Sequence, residues 1–201
     1  MIYLAFFICL LYGFLVLYLS KGIDRLKDLE NEQHKSETSF SILVPFRNEE
    51  LNLPELLESI IALDYPTAQY ELILINDASS DASVSIVDQF KTKHPTLNVA
   101  LINNNELSGS PKKDAISTAI SMAKNNWIIT SDADCSFSKN WLKSMDLFIQ
   151  KTQPTMIVAP VNYQAKNSFL EQFQLLDFMS LQGITIGGFG IGVPILCNGA
   201  N

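Results

Sequence analysis

The chain has 201 residues, 47% of them hydrophobic and only 17% charged, with a net charge of −7 from 14 Lys+Arg against 21 Asp+Glu. That length allows one domain with a sizeable core and a small remainder, and the apolar composition argues against both a disordered chain and an ordinary fully soluble domain. The acidic balance argues against a nucleic-acid partner, whose binding rests on Lys and Arg neutralising phosphates; three scattered cysteines (Cys9, Cys135, Cys197) and two histidines (His34, His94) suit neither a disulfide framework nor a Cys/His zinc site.

Residues 2–19 are apolar apart from Gly13, close to the roughly 18 or more residues of a membrane-spanning helix. No charged residue precedes them and no small-x-small cleavage site follows, so residues 1–20 read as an uncleaved signal anchor. Lys21, Arg25 and Lys27 come next, and the positive-inside rule then leaves the rest of the chain on the cytoplasmic side. Residues 21–39 are polar and mixed in charge, a solvated helix or linker ahead of a domain over 40–201.

From residue 40 onward short apolar runs alternate with amphipathic stretches. Strands are predicted over 40–44, 70–75, 97–102, 127–130 and 156–159, and helices over 51–61, 83–90, 114–123, 139–149 and 169–181. Such alternation with short connections predicts an α/β fold, a mainly parallel sheet covered by helices on both faces. Residues 183–199 are apolar and hold six of the nine glycines, which predicts flexible, close-approach backbone rather than helix.

Ligands of such sheets bind outside the carboxyl ends of the strands, and the residues just after strands one, two and four are polar. Asp132 and Asp134, one residue apart after an apolar strand, can both address one hard cation, Mg²⁺ or Mn²⁺, whose shell phosphate and water complete; the alternative is that Asp134 or Ser136 caps the next helix. Asp77 can accept hydrogen bonds from a nucleoside, or form a turn with Ser79, Ser80 and Asp81. Arg47, Asn48 and Glu49 follow strand one, where Glu49 and Glu50 could instead complement a helix N-terminus. Lys112 and Lys113 offer a cation to a diphosphate or simply solvate a loop. Cys135 has no histidine nearby in sequence, and its carboxylate neighbours raise a thiol pKa, so it is not read as a nucleophile.

Together the stretches 41–50 (SILVPFRNEE), 71–81 (ELILINDASSD), 112–116 (KKDAI), 128–134 (IITSDAD) and 197–201 (CNGAN) resemble the inverting family 2 glycosyltransferases with a GT-A fold, especially membrane-anchored, ceramide-glucosyltransferase-like or processive-like members. The resemblance implies a UDP- or GDP-sugar donor, with Pro45, Arg47, Asn48, Glu49 and Asp77 around the base and ribose and Lys112 near the nucleotide. It implies Asp134 and Asp132 as the DxD pair, with Mg²⁺ or Mn²⁺ as cofactor, and a lipid, glycan or polysaccharide acceptor. The sequence departs from the family pattern at Asn76, usually acidic, and at Pro111, often glycine. The family's general base lies beyond Asn201, so no catalytic base is assigned and the domain is expected to be partial. A nucleotidyltransferase and a non-catalytic metal-dependent binding module are the rival readings.

Overall fold

The computed structural model describes residues 1–26, 35–105, 108–165 and 167–197. Most of the predicted linker (27–34) and the Asn-Gly-Ala-Asn stretch at 198–201 lie outside the described residues. The elements run α1 (Ile2–Arg25), β1 (Phe40–Phe46), α2 (Leu53–Ile61), β2 (Tyr70–Asn76), α3 (Ser83–Lys93), β3 (Val99–Asn103), α4 (Pro111–Ile120), β4 (Trp127–Thr130), α5 (Trp141–Thr152) and α6 (Phe169–Gly190). They fall into two units, one within residues 35–156, the other within residues 1–26 and 157–197.

In the first unit the four strands are all parallel, in the order β3-β2-β1-β4. Alternation along each strand divides the side chains between two faces. Phe40, Ile42, Val44 and Phe46 of β1 pack with Leu72 and Leu74 of β2, Leu56 and Ile60 of α2, Val87 of α3 and Leu142 of α5. On the other face Leu43, Ile73 and Ile75 meet Ala115 and Ala119 of α4. Both faces are therefore covered, as a parallel sheet requires. The connection through α4 carries the chain from β3, at one edge, to β4, at the other. The strand order thus reverses between β1 and β4, and the crevice at that reversal is where ligands of open α/β sheets sit.

Buried polar side chains of this unit are largely satisfied, with Gln69 Oε1 and Asn104 Oδ1 the exceptions among the described residues. Glu71, only 2% exposed, accepts the Ser41 hydroxyl at 2.6 Å and the Lys124 N–H at 2.7 Å, which staples the turn before β4 to the starts of β1 and β2. The predicted fifth strand is not formed: α5 ends at Gln153 in the left-handed region (φ 48°) and 156–159 join no sheet. Four apolar residues in a row do not by themselves distinguish a strand from other extended backbone.

In the second unit α1 has a mean hydropathy of 2.5 over its most apolar window and runs five residues past the expected end of the anchor at 20. Helix α6 corrects the expectation of non-helical backbone over 183–190, because it continues unbroken through Gly183, Gly187, Gly188 and Gly190, while the expected close approach of backbone is found. Gly187, Gly188 and Gly190 answer a packing demand rather than flexibility. A Cβ on Gly187 would strike the Leu19 carbonyl, and one on Gly22 or Gly190 would strike the facing helix backbone. The helix stops in a Schellman turn, with Gly192 at φ 77° and the Val193 N–H donating to the Gly188 carbonyl at 2.9 Å.

Candidate active site

Three strand ends and one helix start converge on a cleft of about 450 Å³ at the carboxyl edge of the sheet. β1 contributes Pro45, Arg47 and Glu49, β2 contributes Asp77, the first turn of α4 contributes Pro111 and Lys112, and the turn after β4 contributes Asp132, Ala133 and Asp134. Every predicted site residue except Asn48 lines this space.

Asn48 has a different place. Its backbone is left-handed (φ 55°), a region that Asn tolerates better than most residues, and its side-chain oxygen accepts the Ser80 N–H at 2.8 Å. The Asn48 N–H donates to Ser79 Oγ at 3.1 Å, and the Glu49 N–H to Ser83 Oγ at 2.9 Å. Reciprocal bonds extend this seam: the Glu50 N–H donates to Asp81 and the Ala82 N–H to Glu50. The loops after β1 and β2 are thereby zipped into one unit. Asp81 and Glu50 belong to that zip, and Asp81 also accepts the Ser83 N–H at the start of α3. Burial works against ionisation, but the Ser83 hydroxyl and these N–H groups hold the Asp81 carboxyl below its usual range.

Asp77 is held from two sides. The Asn104 amide donates to its Oδ1 at 2.6 Å and to the Pro111 carbonyl at 3.1 Å, while the Arg47 guanidinium lies 3.8 Å from Oδ2. Asn104 was not read from the sequence as a site residue. Its signal was the polar run Asn103-Asn104-Asn105 at the end of β3. Asn76, the departure from the acidic pattern, uses both functions of its amide: it donates to Asn103 at 3.1 Å and accepts the Ser79 N–H at 2.9 Å.

Across the cleft, Lys112 Nζ pairs with Asp132 Oδ1 at 2.5 Å. Lys112 stands in the first turn of α4 after Pro111, so its ammonium and the positive end of the helix address the same region. The capping alternative for Asp134 and Ser136 fails, because α5 begins only at Trp141 with Asn140 at the cap position. Asp134 is exposed, and the Cys135 thiol lies 3.9 Å from its Oδ1. Burial first, and then the charges of Asp134 and Asp132, push the Cys135 thiol pKa up, which agrees with its exclusion as a nucleophile.

Among the described residues no group of three His, Cys, Asp or Glu side chains could enclose a metal. Two carboxylates on one cleft, one already paired to an ammonium, do fit a hard cation that takes its remaining ligands from phosphate and water.

The chain is 30% identical over 112 residues (56% of this chain, 19% of the relative) to the poly(ribitol-phosphate) beta-N-acetylglucosaminyltransferase TarS of Staphylococcus aureus. The crystal structure of S. aureus TarS 1-349 in complex with UDP-GlcNAc matches with a TM-score of 0.55 at 27% identity, covering 65% of this chain and 37% of that one. The beta-monoglucosyldiacylglycerol synthase of Trichormus variabilis is 28% identical over 173 residues, 83% of this chain and 36% of the relative. The mannosyltransferase PcManGT from Pyrobaculum calidifontis, in complex with GDP-Man and Mn²⁺, shares the fold with a TM-score of 0.60 at 23% identity, covering 76% of this chain and 44% of that one. The chain spans less than half the length of each of these relatives. Residues 41–194 match the profile of glycosyl transferase family 2, and the chain belongs to that family.

Proposed function

We propose that this chain carries the donor-binding part of an inverting, metal-dependent glycosyltransferase that uses a UDP- or GDP-sugar. The observation that carries the reading is the convergence of Arg47, Asp77, Lys112, Asp132 and Asp134, from four separate segments, on one cleft at the strand-order reversal. Complexes of relatives with UDP-GlcNAc and with GDP-Man support the donor class.

The nucleoside is assigned to the zipped loops, with Asp77 accepting a base or ribose donor and Arg47 beside it. Lys112 and the positive end of α4 oppose the negative charge that gathers on the diphosphate as the anomeric carbon–oxygen bond breaks. A divalent cation, Mg²⁺ or Mn²⁺, held by Asp134 and Asp132 would neutralise the same leaving group. An acceptor hydroxyl oxygen forms the new bond on the opposite side of that carbon, and its proton goes to a base that none of the cleft residues is assigned to be. The acceptor is a lipid, glycan or polysaccharide hydroxyl. Helix α1 anchors the chain in a membrane with the domain on the cytoplasmic side, a reading supported by its length, its composition and the basic residues that close it.

Calorimetric titration of the detergent-solubilised chain with UDP and GDP, with and without Mn²⁺, tests the donor site. Metal-dependent nucleotide binding that disappears in Asp134→Ala is expected. A folded chain that binds neither nucleotide under any of these conditions overturns the assignment.

A further inference from the structure

One residue outside the lining of the cleft is hydrogen-bonded to both of its ends. Asn104, the first residue after β3, has its backbone N–H on the Asn76 carbonyl at 2.8 Å, directly before Asp77 in the chain. Its side-chain amide then donates twice, to Asp77 Oδ1 at 2.6 Å and to the Pro111 carbonyl at 3.1 Å. A carboxylate and a carbonyl only accept, so the amide has one orientation, with its nitrogen toward both partners. That orientation leaves Asn104 Oδ1 buried and without a donor among the described residues, a cost to the fold that an apolar side chain of similar size avoids. What asparagine supplies at this position is therefore the pair of donated bonds.

The two acceptors belong to different parts of the cleft. Asp77 stands beside Arg47, at the end assigned to the nucleoside. Pro111 opens α4, whose cap residue Ser110 makes no side-chain hydrogen bond to the helix, and the next residue is Lys112, paired with Asp132 at the end assigned to the diphosphate. Because Lys112 belongs to the same first turn, its place along the cleft follows that of Pro111. A line of contacts thus runs from Arg47 through Asp77, Asn104 and Pro111 to Lys112 and Asp132, and Asn104 is its central link.

We infer that Asn104 is a positioning residue that couples the two parts of the donor cleft, setting the Asp77 carboxylate in register with the start of α4 and so with the Lys112 ammonium. The inference rests on the donor reading of the cleft and deepens it. A ligand whose nucleoside and diphosphate are covalently joined can satisfy both groups at once only if their separation in the protein is fixed, and the doubly donating amide fixes it. The nucleoside diphosphate is then recognised as one unit rather than as a nucleoside and a phosphate pair held independently. Residues that act through a shared partner in this way show non-additive effects when they are replaced together.

The test is a double-variant cycle on the detergent-solubilised full chain, read by calorimetric titration in Mn²⁺ with whichever of UDP and GDP it binds and with the matching monophosphate. Asn104→Leu keeps the volume and removes both donated bonds; Asn104→Ser, with one proton to donate, carries the same cycle if the leucine variant does not fold. Each is combined with Lys112→Ala. Expected is that Lys112→Ala weakens diphosphate binding about tenfold in the wild-type chain but no more than about twofold in the Asn104 variant, whereas the monophosphate cycle is additive. If Lys112→Ala costs the same factor in both backgrounds, the inference is overturned: Asn104 then serves Asp77 alone, and the donor reading stands. Loss of folding in both Asn104 variants assigns the residue to the fold and overturns it as well. A folded wild-type chain that binds neither nucleotide removes the donor reading and takes the inference with it.

Discussion

Lys112 and Asp132, 20 residues apart in sequence, close on each other at 2.5 Å across the cleft, so the ammonium holds the carboxylate that a divalent cation would share. On the proposed assignment, binding of metal and diphosphate exchanges these partners. Lys112→Ala is therefore expected to tighten Mn²⁺ binding in the absence of nucleotide while weakening UDP or GDP binding by about tenfold, a change of roughly 1.4 kcal/mol. Titration of metal and nucleotide separately checks both halves. Weakening of both ligands alike would show that Lys112 supports the fold of the cleft rather than competing with the metal.

Asn104 acts through Asp77. Removing its amide in Asn104→Ala leaves the carboxylate without its 2.6 Å donor, and a lost hydrogen bond of this kind costs about 1 kcal/mol. UMP or GMP binding is expected to weaken about fivefold, with the metal dependence of diphosphate binding unchanged. Asn104→Asp sets a like charge beside Asp77 and is expected to weaken binding further. Unaltered nucleoside affinity in both variants would remove Asn104 from the site.

Asn48 separates bracing from ligand contact. Asn48→Ala loses the bond to the Ser80 N–H and places an alanine at φ 55°, a left-handed conformation that costs roughly 1–2 kcal/mol for most residues. Urea unfolding should show that loss. In Asn48→Asp the acceptor is kept and stability is expected to recover in large part. A variant with unchanged stability but abolished nucleotide binding would put Asn48 in the cleft after all.

Asp146 ties α5 to the segment before β1. It is fully buried and accepts the Thr38 hydroxyl at 2.6 Å, the Gln150 amide at 2.9 Å and the N–H groups of Glu37 and Thr38. Burial alone would raise its pKa, but those donors together hold the carboxyl below its usual range. A carboxyl lowered in the folded state stabilises the fold at pH above its unfolded value of about 3.9, and that stability is lost as pH falls through the lower folded value. Acid unfolding followed by circular dichroism should therefore steepen below about pH 4. In Asp146→Asn the chain should be less stable at neutral pH and its acid limb flatter; an unchanged acid limb would assign the transition to other carboxyls.

The four strands and the helices between them were legible because buried strands and amphipathic helices print different periods, and because Pro54 and Pro111 mark helix starts. The cleft was legible for a related reason: Arg47, Asp77 and Asp132 stand just past the carboxyl ends of strands, where ligands of such sheets meet the protein. What pairs with what was not legible. Asn48 and Arg47 are neighbours in sequence, yet a left-handed residue turns one toward Ser80 and leaves the other at the cleft. Asn104 entered through a strand end that carried no charge to draw attention. The glycines of α6 misled most, since glycine weakens a helix in isolation and only the partner backbone explains why Gly187 and Gly190 sit inside one.

The zip between the loops after β1 and β2 has a consequence for how a donor is chosen. With Asn48, Glu49 and Glu50 on one loop bound to Ser79, Ser80, Asp81, Ala82 and Ser83 on the other, this rim is set before any ligand arrives. A base that fits it loses little affinity to ordering protein, and one that does not fit finds no slack to exploit. On the proposed assignment, discrimination between nucleosides operates at first encounter, while accommodation of different sugars falls to the opposite rim, where the Lys112 ammonium can change partners.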